Sequence, residues 1–104
     1  MDNQDAVIFG EASTGKVWNG EKELDISRSF QFENKSPSGF SWGYHGADPA
    51  QLALAILLDL CKNPEIARRL FQEFKRDIIA NFPSDADLVL PVVQVMKWLE
   101  DNSH

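Results

Sequence analysis

Hydrophobic and polar positions change period along the chain. Through residue 33 the apolar groups are short and broken by Gly10, Gly15 and Gly20, a pattern of strands and turns rather than helix. Lys16-Val17-Trp18 leads into Asn19-Gly20, a dipeptide that accepts the positive φ angles of a tight hairpin turn, and Leu24-Asp25-Ile26 alternates beyond it. Ser29-Phe30-Gln31-Phe32-Glu33 alternates again, with Phe30 and Phe32 on one face, and predicts a third short strand. From Asn34 to Ala47 the period is lost. Pro37, Gly39, Gly43 and Gly46 punctuate Phe40, Trp42 and Tyr44, which predicts an irregular, tightly packed loop.

The rest of the chain reads as helix. Asp48-Pro49-Ala50-Gln51 combines an N-cap acid, a proline at the first helical position and a glutamine that closes a capping box, so a helix is predicted from Asp48 to about Cys61. Leu52 to Leu58 and Leu60 leave it no polar face, which makes it the buried centre of the core. Asn63-Pro64-Glu65 repeats the start signal almost at once, so a second helix folds back as a hairpin and runs to about Asn81. Ala67, Leu70, Phe71, Phe74 and Ile78 mark its inner face. Pro83 and Ser84-Asp85-Ala86-Asp87 end it, and a last helix starting near Pro91 places Val92, Val95, Met96 and Leu99 on one side. The predicted fold class is therefore α+β, a single domain over 1–104. A small antiparallel β-hairpin or sheet from residues 5–33 precedes an α-helical hairpin and a C-terminal helix.

Composition narrows the function classes. A chain of 104 residues, 43% hydrophobic and 25% charged, has room for one modest core and not for a two-domain enzyme. One cysteine leaves no internal disulfide, and Cys61, at the end of an apolar run, fits a reduced compartment as an inert buried thiol. The N-terminus lacks the basic start and apolar core of a signal peptide, and the uncharged run from Pro49 to Leu58 is half of what spans a bilayer. A cytoplasmic protein without a membrane partner is expected. The net charge of −6 argues against a surface that is wholly a nucleic-acid footprint.

The stretch from Ser36 to Asp59 resembles a family of short bacterial, archaeal and phage or plasmid proteins of unknown function, whose members carry a pattern close to SPxGFxWGYxGxGPAQLALAxLxD. The likeness continues through Phe71-Gln72-Glu73-Phe74-Lys75-Arg76 to Trp98-Leu99. It is good over about residues 36–82 and loose over the first third. Asp48 departs from the pattern, which has glycine there. The resemblance implies an association with mobile elements. It implies no catalytic residue, cofactor or substrate.

Candidate chemistry is sparse. Gly39, Gly43 and Gly46 before a helix start suggest a phosphate cradle, but an acid at the N-cap and the lack of lysine or arginine between Lys35 and Lys62 oppose an anion there. Ser41, His45 and Asp48 supply the residue types of a nucleophile, base and acid, although such a set works only through geometry. One cysteine, His45 and the terminal His104 make no metal-ligand cluster, and no cofactor pattern is present. Two binding readings remain. Phe40, Trp42, Tyr44 and His45 either cap the core or form a partly exposed recognition patch for another protein, since tryptophan and tyrosine anchor interfaces. Arg68, Arg69, Lys75 and Arg76 form a basic stripe on the second helix, either a solvated face laced with pairs such as Glu65 with Arg69 and Glu73 with Arg76, or a contact for phosphates. The reading that follows is a protein-binding or accessory module of a mobile element. The alternatives are nucleic-acid binding through the second helix and a small enzyme with a site near His45 and Asp48.

Overall fold

The computed structural model describes residues 6–25, 40–44, 46–61 and 63–102. Four strands, β1 (Val7–Gly10), β2 (Val17–Asn19), β3 (Lys22–Glu23) and β4 (Leu88–Pro91), form one antiparallel sheet in the order β3-β2-β1-β4. Helices α1 (Ala47–Cys61), α2 (Pro64–Asp77) and α3 (Val92–Asn102) follow the hairpin, with a 3-10 turn at Ile79–Asn81. The arrangement is α+β, as the change of period predicts.

Helix α1 is the element around which the others pack. Every residue from Pro49 to Asp59 is buried, as its lack of a polar face requires. Gln51 and Asp59 are the polar members of that run. The helix begins at Ala47, ahead of the Asp48 N-cap that the capping-box pattern suggests. Asp48 lies within the first turn, and the Ala50 N–H donates to the Gly46 carbonyl. At the next start the local signal holds in detail. Asn63 caps α2 by accepting from the N–H groups of Glu65 and Ile66, with Pro64 at the first position. α2 stops at Asp77 rather than Asn81. Ile78 leaves helical geometry, and the Asn81 amide donates to the Asp77 carbonyl at 2.7 Å, satisfying a helix end from the turn beyond it.

The hairpin forms one step away from its predicted register. Asn19 pairs with Lys22, so the two-residue turn is Gly20-Glu21, with Gly20 at φ +64°, and the second strand is Lys22–Glu23 rather than Leu24–Ile26. Ile26, the predicted strand at Ser29–Glu33 and the loop residues 34–39 lie outside the described residues. Strand β4 is an addition: Leu88-Val89-Leu90 pairs with β1, eighty residues earlier in the chain, with Gly10 opposite Leu88 and Val7 opposite Pro91. The inner face of the sheet, Ile8, Val17, Leu88 and Leu90, is wholly buried in one cluster with α1, α2 and α3. On α3 the inward residues are Val92, Val95, Trp98 and Leu99. Met96, predicted to join them, is 45% exposed, because the buried face is turned the other way round the helix, toward Trp98, whose ring meets Phe74 at a separation of 5.1 Å.

Candidate protein-binding surface

The aromatic loop divides between core and solvent. Trp42, expected as a partly exposed anchor, is instead 2% exposed. Its indole N–H donates to the Ala86 carbonyl at 2.9 Å, and its ring lies against Gly10, where a β-carbon would come within 2.7 Å of it. A Trp in this position is paid back in buried area and has its one polar atom satisfied, so it closes the core between β1, β4 and the loop. Phe40 is half-buried against the same cluster. Tyr44 faces outward, and its hydroxyl donates to Asp48 Oδ2 at 3.1 Å. His45 lies outside the described residues.

Tyr44 also decides what Ser41 and Asp48 do. Both hydrogen-bond to its hydroxyl, so serine and carboxylate meet through a phenol. Burial raises the Tyr44 pKa above its ordinary value of about 10. The Ser41 hydrogen bond opposes the rise, and the Asp48 hydrogen bond and charge add to it. Because the chain has a single tyrosine, the rise of the tyrosinate absorbance band with pH follows this group alone. Its titration midpoint is expected above that of free tyrosine, and Asp48→Asn is expected to bring it part of the way back. The sign for stability follows: the unfolded chain loses this proton first, so the contribution of Tyr44 is complete below about pH 10 and declines as pH rises through the folded value.

The four bases of α2 do not form one stripe. At about 100° per residue, Arg69 and Arg76 occupy the outermost line of the helix, while Arg68 and Lys75 lie roughly a quarter-turn round toward its flank. Arg68, Arg69 and Arg76 are exposed and Lys75 is half-buried. Arg76 pairs with its neighbour Asp77 at 3.2 Å and not with Glu73 a turn earlier. Asp77 in turn accepts from the Trp98 indole at 2.9 Å. Two short, separated basic rows beside carboxylates offer phosphates less than a continuous groove does.

A polar cluster lies under the hairpin. Asp59, near the C-terminal end of α1, accepts from the Asn19 amide at 2.6 Å and from the Lys22 ammonium at 3.0 Å. These side chains, with Ala6, Leu60, Val92 and Met96, line an open cavity of about 320 Å³. The acid is buried and the lysine largely exposed. Paired and hydrogen-bonded in this way, Asp59 ties the hairpin to α1 and is not poised as a free acid or base. Cys61, expected to be buried, is half-buried, and its thiol donates to the Asn63 carbonyl. Among the described residues no group of three or more His, Cys, Asp or Glu converges as a metal site, and no helix is long and apolar enough to cross a membrane.

The most unusual surface is the outer face of the sheet. An antiparallel sheet with its core on one side ordinarily turns polar residues to the other. Here the outward row reads Trp18, Phe9 and Val89 across three strands, with Val7 and Pro91 beside it. The Phe9 and Trp18 rings pair at 6.1 Å, both are half-buried, and Val89 is 53% exposed. Sequence reading had a signal for this face. Val7-Ile8-Phe9 and Leu88-Val89-Leu90 do not alternate, and an unbroken apolar strand is apolar on both sides.

Residues 9–101 match the family of unknown function DUF6166. The chain belongs to that family. No curated protein and no solved structure matches it. The matched region extends beyond residues 36–82, taking in most of the sheet, from Phe9 through Trp18 to Val89, as well as the aromatic loop and all of α1 and α2.

Proposed function

We propose that this family member is a protein-binding accessory module whose contact surface is the outer face of the sheet. One observation carries the reading: the Trp18–Phe9–Val89 row sets two half-buried aromatic rings and an exposed valine on the face where an antiparallel sheet ordinarily carries polar residues. Phe9 stands at the centre of the row with Trp18 beside it, and tryptophan is among the commonest interface anchors. Asp48 and Asp59 are both engaged in hydrogen bonds, which supports binding over acid–base chemistry. Resemblance to short proteins of phages and plasmids supports an accessory role on a mobile element, acting in the cytoplasm.

The test uses Trp18→Ser, at a half-buried position, and not Trp42, whose truncation is expected to destabilise the core and leave part of the population unfolded. Tagged wild type and variant, matched by circular dichroism and thermal unfolding, capture proteins from the natural host. A stoichiometric partner reduced at least tenfold by Trp18→Ser is the expected result, matching loss of an anchor contributing about 2 kcal/mol. Equal capture by both proteins removes the sheet face from the interaction.

A further inference from the structure

We infer that the sheet face takes a basic, apolar peptide segment laid across it, a conclusion that rests on the protein-binding reading above. Charge indicates the chemistry. Continued one residue past the strand ends, the alternation puts Glu11 on the face of Phe9, Lys16 on that of Trp18 and Asp87 on that of Val89. There Glu11 accepts from the Thr14 hydroxyl and Asp87 from the Ala12 N–H, while Glu23 lies directly opposite Trp18. Among the described residues the apolar row is thus bordered by three carboxylates and a single lysine. The other lysine of the hairpin, Lys22, lies on the opposite face from Glu23, where it pairs with Asp59 while its side chain stays largely exposed. The whole chain carries −6, which extends the same field and favours the approach of Lys- and Arg-bearing segments.

Geometry indicates a segment lying on the face. Val89 and Trp18 stand two strand spacings apart, about 10 Å, which is the width of one helix or extended chain with its side chains. Addition of a strand to the edge is blocked. The Val92 N–H donates to the Ala6 carbonyl, so Leu88 and Leu90 direct their hydrogen-bonding groups to β1, while Val89 and Pro91 occupy the outer edge. Proline has no N–H to give, and the opposite edge, β3, is two residues long. A second copy of the chain is disfavoured by the same charges, because face-to-face stacking sets carboxylate borders and two charges of −6 against each other.

The experiment pans a random displayed peptide library against the full chain, counter-selects on Trp18→Ser and on Val89→Ser, and measures a synthesised enriched peptide by fluorescence anisotropy. Val89 is exposed enough to be replaced without disturbing the fold, which guards against a Trp18 variant that misfolds. The expected pool is rich in Lys or Arg beside aromatic or aliphatic residues. Its affinity is expected to fall at least tenfold with either variant, to weaken several-fold in Glu23→Lys, and to weaken as salt rises from low to physiological concentration. Peptides that need Trp18 and Val89 but are neutral or acidic overturn the charge assignment and leave the binding face standing. A library with no peptide sensitive to either variant overturns the binding face itself. Sedimentation of the chain alone as a dimer that Val89→Asp disperses replaces the peptide by a second copy.

Discussion

Trp42→Ala is expected to lower the unfolding free energy by about 3–5 kcal/mol, the range for removing a large aromatic from a packed core. The indole is 2% exposed, fills the space above Gly10, and donates to the Ala86 carbonyl. Truncation opens a cavity between β1, β4 and the loop and leaves Ala86 without its donor. Against a total of about 5–15 kcal/mol for a domain, that is enough to leave part of the population unfolded at working temperature. Urea unfolding followed by circular dichroism checks it. A change under 1 kcal/mol would mean that the ring contributes little to the core. Trp42→Phe, which keeps most of the area and loses the N–H, is expected to fall between the two.

Gly43→Ala is expected to cost about 3 kcal/mol, from two causes that a control separates. The first is conformational: Gly43 has φ +85°, a region L-residues enter at a cost of about 1 kcal/mol. The second is steric. A β-carbon there would lie 2.6 Å from the Phe82 carbonyl oxygen and from the N and Cα of Ser84, all backbone atoms that have no rotamer to yield. Gly20→Ala supplies the control, because Gly20 has φ +64° with nothing within 4 Å of its missing side chain. It is expected to show the conformational cost alone. Equal losses at the two positions would show that the segment at Phe82–Ser84 gives way freely. Gly43 and Trp42 are neighbours seated against that same segment, so their double variant is expected to lose less than the two single losses combined.

These two residues show why composition leaves the loop open between core and surface. Phe40, Trp42 and Tyr44 are three aromatics among glycines, and composition alone is compatible with either a core plug or an exposed anchor. The difference lies in Ala86 and Gly10, more than thirty residues away on either side. Conversely, Phe9 and Trp18 looked like ordinary strand residues. Their place in one outward row is fixed when β4 pairs with β1 and sets Val89 beside Phe9, while Ile8, Leu88 and Leu90 turn inward to the cluster with α1, α2 and α3.

What this sequence determined unaided is whatever depends on neighbours a few residues apart. The Asn63-Pro64 cap, the unbroken apolar run of α1, the inward stripe of α2 and a glycine in the hairpin turn are local, because hydrogen bonds to the next turn and a 3.6-residue period are written within one segment. Tertiary structure decided the rest. Leu88–Pro91 became a strand only through its partner β1, and Trp98 rather than Met96 turned inward, where its ring meets Phe74. Each of these outcomes depends on which distant side chain occupies a shared volume or ladder, a competition that spacing along one segment does not encode.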